Sequence, residues 1–174
     1  MNEKKGGVHV TEFEKVYRAY YKDVELYLRA ICRDESLAEE LTAQTFFKTM
    51  SALPKFRGDC DIRTWLFTIA RNCYFSHLRK TKQTESIEHI KELQIPDTQK
   101  TIEEYVIDKQ HAQFIHAILQ NMPPTYKEVF SLRVFGQLSF EEIGTVFHKS
   151  ANWACVTYHR TKQKIRNEIE QMEV

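Results

Sequence analysis

The sequence has 174 residues, with 25 Lys and Arg against 24 Asp and Glu and a formal charge of +1. That length holds one ordinary domain or two small ones, and 42% hydrophobic with 28% charged residues excludes wholesale disorder. The longest strongly apolar stretch, Trp65 to Ala70, falls far short of the roughly 20 residues that span a bilayer, and no signal-peptide core follows Met1 to Gly7, so a soluble, intracellular chain is expected.

Helical periodicity runs through nearly the whole chain. Phe13, Val16, Tyr17, Tyr20, Val24, Leu28 and Ile31 recur at three- and four-residue steps, and Thr11 with Glu14 has capping-box spacing, predicting a helix over about 11–33. Ser36 with Glu39 predicts a second helix through Leu41, Phe46, Phe47 and Met50, stopping before Pro54. Lys55 to Cys60 reads as a loop in which Gly58 is free to take positive φ. A third helix, about 61–81, carries an apolar stripe at Ile62, Leu66, Ile69 and Cys73. Its opposite face shows Thr64, Thr68, Arg71, Phe75 and Arg79.

Periodicity fades from Lys82 to about Thr101, where Pro96 interrupts, so this stretch is predicted to be a flexible linker. Helical spacing resumes at Ile102, Val106, Phe114, Ile118 and Leu119 and ends near Asn121. Pro124 suits a first helical position for a segment reaching about Phe135, and Gly136 makes a turn. Ser139 with Glu142 opens a short helix to Phe147. His148, Lys149 and Ser150 connect it to a longer one from Ala151 to about Met172. The predicted fold is all-α: two small helical domains, 10–81 and 102–172, joined by an acidic linker over 82–101.

The near-zero total charge hides segregation. Ile62 to Thr84 has five cations (Arg63, Arg71, Arg79, Lys80, Lys82) and no acid, and His148 to Asn167 has five more (Lys149, Arg160, Lys162, Lys164, Arg166), again with no acid. Between them, Glu85 to Asp108 has seven acids against Lys91 and Lys100. Two basic segments flanking an acidic connector suggest two contacts with a polyanion. Any one basic run, taken alone, is ordinarily a solvated helix face; its repetition argues otherwise.

In the last helix Ala151, Ala154, Tyr158, Thr161 and Ile165 share one side, and Asn152, Cys155, Val156, His159 and Gln163 the other. Small and apolar groups would pack inward and hydrogen-bonding groups would face out, as in a helix-turn-helix over about 139–158 whose second helix enters the major groove. The competing plain reading is an αα-hairpin that completes a bundle. In the first half, Phe56, Trp65, Phe67, Tyr74 and Phe75 interleave with cations, the composition of a single-strand binder. Trp65 and Phe67 suit the core better; Phe75, beside Arg71 and Arg79, is the better contact.

These residues also carry a resemblance. Phe56-Arg57-Gly58-Asp59, Arg63-Thr64-Trp65-Leu66 and Ile69-Ala70-Arg71-Asn72 resemble conserved region 2 of bacterial sigma factors. Ala38 to Thr42 with Phe46-Phe47-Lys48 resembles their polymerase-binding helix. Asn121 to Pro124, Leu138 to Ile143, and Tyr158-His159-Arg160 with Lys162 resemble region 4. No room is left for regions 1 or 3, which points to the ECF (extracytoplasmic function) subfamily of the sigma-70 family. The resemblance implies a non-enzymatic initiation factor that binds core RNA polymerase and promoter DNA, needs no cofactor or metal, and is held by an anti-sigma factor.

The resemblance further implies that Glu39, Glu40, Gln44 and Phe47 dock on the polymerase. Phe56, Arg57, Gly58 and Asp59 would hold a flipped base of the −10 element, with Arg71, Asn72, Phe75, Arg79 and Lys80 along the adjoining strand. Asn152, Trp153, Cys155, Val156, His159 and Arg160 would meet the −35 element, with Lys162 and Lys164 on phosphates. Ala43-Gln44 departs from the usual Gln-Glu, His148 stands at the usual turn glycine, and the Cys155 thiol cannot make a bidentate contact to guanine. The alternative is a stand-alone helix-turn-helix regulator whose first half senses or dimerises. An enzyme finds little support, since no Gly-rich phosphate loop, HExxH or nucleophile elbow is present. Cys32, Cys60, Cys73 and Cys155, scattered without zinc-finger spacing, read as reduced thiols.

Overall fold

The computed structural model of the chain describes residues 4–85 and 117–172. Its elements are α1 (Lys4–Ile31), α2 (Glu35–Ala52), a 3-10 turn (Leu53–Lys55), α3 (Ile62–Glu85), α4 (Pro124–Val134), α5 (Phe140–Phe147) and α6 (Ala151–Met172). Residues 117–120, ahead of α4, are also helical, and among the described residues there is no strand. The acidic stretch beyond Glu85, with Pro96, and the spacing at Ile102, Val106 and Phe114 lie outside the described residues.

Two expected helix starts are corrected. α1 passes through Thr11 rather than beginning there; residues three apart also face each other one turn on, so capping-box spacing arises inside a helix too. α2 is capped by Asp34, not Ser36: the Asp34 backbone is extended and its Oδ1 accepts from the Leu37 N–H at 3.0 Å. That carboxylate satisfies one of the orphan amides of the first turn.

Within α2, Thr42, Thr45 and Thr49 line the buried side, and each hydroxyl donates to the carbonyl four residues back at 2.7, 2.7 and 2.8 Å. Those bonds let a polar stripe enter the core without unpaired oxygens. Pro54 then turns the chain into the 3-10 segment.

The two halves pack on one another. A single apolar cluster joins Val24, Tyr27, Leu28, Leu66 and Phe67 of the first half to Val129, Leu132, Leu138, Ile143, Val146 and Ala154 of the second. Fully burying such side chains stabilises by about 1.5–3 kcal/mol each. A smaller cluster of Ile118, Leu119, Phe130 and Ile165 lies within the second half. α3 shows Leu66 and Cys73 buried as its pattern predicts, but Thr64, expected on the outward face, is only 2% exposed because α5 covers it.

All four thiols are free, Cys32 and Cys73 buried, Cys60 and Cys155 half-buried. Burial pushes the Cys32 thiol up to about 12, against the pull of Lys127. A disulfide reagent at mildly alkaline pH is therefore expected to modify Cys60 and Cys155 in the native chain and Cys32 and Cys73 only after unfolding. Four thiols reacting at one rate would contradict this arrangement.

Candidate nucleic-acid interface

On α2, Glu39, Glu40, Gln44 and Phe47 are all exposed. Phe47 shows 67% of its surface and Met50, one turn on, 49%. Two large apolar side chains offered to solvent on one helix, beside an aromatic group of exposed Tyr17, half-buried Tyr21 and buried Phe46, form a ready docking face. Glu39 is shared with Arg29, which also pairs with Glu25 and Glu35.

The loop after the 3-10 turn holds Arg57, Gly58 and Asp59 exposed, while the Phe56 ring packs at a 39° tilt on Trp65 with centroids 4.8 Å apart. Gly58 takes φ +76, as its position predicts, with open space around it. Asp61 anchors the loop to α3 by accepting from the Arg63 N–H at 2.8 Å. Beyond it, Asn72, Arg79 and Lys80 are exposed and Phe75 is half-buried.

Arg71 is engaged. Its Nε donates to Glu128 Oε2 on α4 at 2.8 Å, and its guanidinium lies 4.5 Å from the ring centres of both Phe75 and Phe147. Neighbouring contacts follow the same seam: Arg63 donates to the Gly136 carbonyl at 2.9 Å, Thr64 to Glu142 at 3.0 Å, and Gln120 to the Ala30 and Cys32 carbonyls at the end of α1. Burial raises the pKa of Glu128, opposed by Arg71 and Lys127. Burial lowers that of Lys127, with Arg33 adding to the effect. Burial also opposes ionisation of Glu142, yet hydrogen bonds from Ser139 and Thr64 outweigh it and its pKa falls.

In the second half, Ser139 and Glu142 form a complete capping box on α5. His148 closes that helix at φ 55, ψ 42, the left-handed position its place in the turn implies. Ser150 then caps α6, accepting from the Trp153 N–H at 3.1 Å. Ala154, Thr161 and Ile165 face inward, while Asn152, Val156, His159, Arg160 and Lys162 are exposed and Cys155 is half-buried. Asn152, Val156 and Arg160 border an open cleft of about 500 Å³ with Thr125 and Tyr126. Trp153 also lines this cleft while its ring packs on Phe147 at 5.1 Å, and Lys164 lies 4.9 Å over the Tyr126 ring.

An exposed apolar patch, a glycine-bearing loop beside cations, and a capped helix-turn-helix thus occur in chain order. The Sigma-70 region 2 family matches residues 16–84, and Sigma-70, region 4 matches residues 114–165. The chain belongs to the sigma-70 family, as a sigma factor of the ECF type. This sigma factor is 29% identical over 164 residues to RNA polymerase sigma factor YlaC of Bacillus subtilis (strain 168), covering 92% of this chain and 94% of that one. It is 24% identical over 160 residues to ECF RNA polymerase sigma factor SigM of the same organism, covering 88% and 92%. The fold overlays the sigma factor RpoE of Bartonella quintana, in complex with the anti-sigma factor NepR, at a TM-score of 0.73 and 17% identity, over 91% of this chain and 97% of that one. CnrH in complex with the cytosolic domain of CnrY gives 0.63 at 16% identity, over 91% and 88%.

Glu128 and Gln120, which join the two halves of this sigma factor, and Lys127, which donates to Gln120 at 3.1 Å, escaped the sequence reading. The available signal was Glu128 itself, four residues before buried Leu132 and next to buried Val129. A carboxylate at a core-facing position calls for a cationic partner.

Proposed function

We propose that this sigma factor binds core RNA polymerase through α2 and directs it to promoters by reading a melted −10 strand and a duplex −35 element. The face of Glu39, Glu40, Gln44 and Phe47 is the polymerase contact. The loop from Phe56 to Asp59 receives a −10 base, with Arg71, Asn72, Phe75, Arg79 and Lys80 following that strand. Asn152, Trp153, Cys155, Val156, His159 and Arg160 face the −35 duplex, and Lys162 and Lys164 meet phosphate. The units assigned to these tasks are 10–81 and 102–172, joined by the linker over 82–101. The protein is not an enzyme, works in the cytoplasm with the polymerase, and answers to an anti-sigma factor.

The observation that carries this reading is Phe47. A phenylalanine two-thirds exposed beside exposed Met50 contributes little to stability and suits a protein interface. Phe47→Ala is expected to change stability by less than about 0.5 kcal/mol and to weaken association with core polymerase by about 2 kcal/mol, roughly 30-fold. The check is a core-polymerase binding titration beside run-off transcription from promoters that respond to overexpression. Tight operator binding by the chain alone, with no polymerase association and no specific transcript, would establish the stand-alone regulator instead.

A further inference from the structure

We propose that Glu128 is an intramolecular stand-in for a promoter-strand phosphate: in the closed arrangement it occupies the Arg71–Phe75 face that the −10 strand requires. The second half of the chain then competes with DNA for that face. This rests on the assignment of Arg71 and Phe75 to the −10 strand made above.

The chemistry of the two anions is shared. A guanidinium presents its donors to carboxylate and phosphate oxygens in the same way. The Glu128 side chain is 3% exposed and its Oε2 accepts from Arg71 Nε at 2.8 Å. Phe75 on α3 and Phe147 on α5 both lie 4.5 Å from that guanidinium. An anion at the edge of an aromatic–cation–aromatic stack is what a phosphate and an unpaired base would supply in its place. Phe147 stands for the base and Glu128 for the phosphate.

The seam is also poised to open. Tyr27 Oη, which feels the charges of Glu128 and Arg71, is buried without a hydrogen-bond partner among the described residues. Lys127 is buried at 6% exposure with Arg33 opposing its charge. Both costs are relieved when the halves part. A partner that binds only the parted form, such as polymerase on one side and DNA on the other, shifts the population by its differential affinity.

The test uses the full chain and a fluorescein-labelled single-stranded DNA of mixed sequence, with anisotropy titrations over a salt series and scattering to follow the radius of gyration. Glu128→Gln is expected to bind about tenfold more tightly, with a larger radius of gyration. The log–log salt slope should steepen by about 0.7, the value for one added phosphate contact on a single strand. Adding Arg71→Ala to Glu128→Gln should cancel the gain. Glu128→Asp, which keeps the charge but withdraws it from Arg71, should give an intermediate gain, and it carries the same comparison if Glu128→Gln does not fold. Unchanged affinity and slope, or a gain that survives without Arg71, overturns the proposal. A core-polymerase pull-down on the same proteins separates the two ideas. Polymerase binding without the Arg71-dependent gain removes Glu128 alone. The gain without polymerase binding removes the α2 docking assignment and leaves the competition of Glu128 with a single strand for Arg71 standing.

Discussion

Phe67→Ala is expected to lower the unfolding free energy by about 3–5 kcal/mol, a large share of the roughly 5–15 kcal/mol that holds a typical domain. Phe67 is fully buried, its ring meets Tyr27 of α1 edge-on at 5.4 Å, and its Cε1 lies 3.1 Å from where a Cβ on Gly136 would stand. The ring therefore fills space between α1, α3 and the turn after α4, where neither half can collapse without the other moving. Partial relaxation leaves a cavity, and the cavity term adds to the lost transfer energy. Phe67→Leu keeps most of the volume and should lose only about 1 kcal/mol. Urea denaturation followed by circular dichroism gives both numbers. A loss under about 1 kcal/mol for the alanine variant would mean that Phe67 does not bridge the halves.

Some local readings came through, while the capping boxes read at Thr11–Glu14 and Ser36–Glu39 did not. The Ser139–Glu142 box and the inward side of Ala154, Thr161 and Ile165 follow from spacing within a few residues, and the left-handed His148 from its resemblance to a family turn that usually carries glycine. Gly58 likewise declared its positive φ. The other failures depend on partners far along the chain. Periodicity put Thr64 and Arg71 on one face of α3 but could not say that Glu142 and Glu128, 78 and 57 residues away, would cover it. The turn at Gly136 was placed correctly, although the left-handed residue there is Gln137 at φ 54. Gly136 is needed for another reason: the Leu132 carbonyl lies 2.7 Å from any Cβ it would carry. Shared cores and trans-capped helix ends, such as Gln120 on the Ala30 and Cys32 carbonyls, have no local signature.

Gly144→Ala sets two backbone effects against each other. Inside α5 the substitution should gain up to about 1 kcal/mol, since glycine loses the most chain entropy on becoming helical. A Cβ at this position, however, would stand 2.7 Å from the Lys149 carbonyl oxygen, 3.1 Å from Ser150 C and 3.2 Å from Ala151 N. All three are main-chain atoms of the turn into α6, so no flexible side chain can swing aside. Overpacking of this kind costs about 1–3 kcal/mol and sometimes more, and the turn is further pinned by the Lys149 N–H donating to the Gly144 carbonyl at 2.8 Å. The clash wins, for a net loss of about 2 kcal/mol, or about 4–8 °C in Tm for a chain of this size. Because the strain is relieved by swinging α6 away from α5, the cleft beside Asn152, Val156 and Arg160 changes shape while the α2 face does not. Transcription that depends on the −35 element should therefore fall well before core-polymerase binding does. A variant as stable as the parent, with unaltered −35 dependence, would show that α5 and α6 do not meet through Gly144.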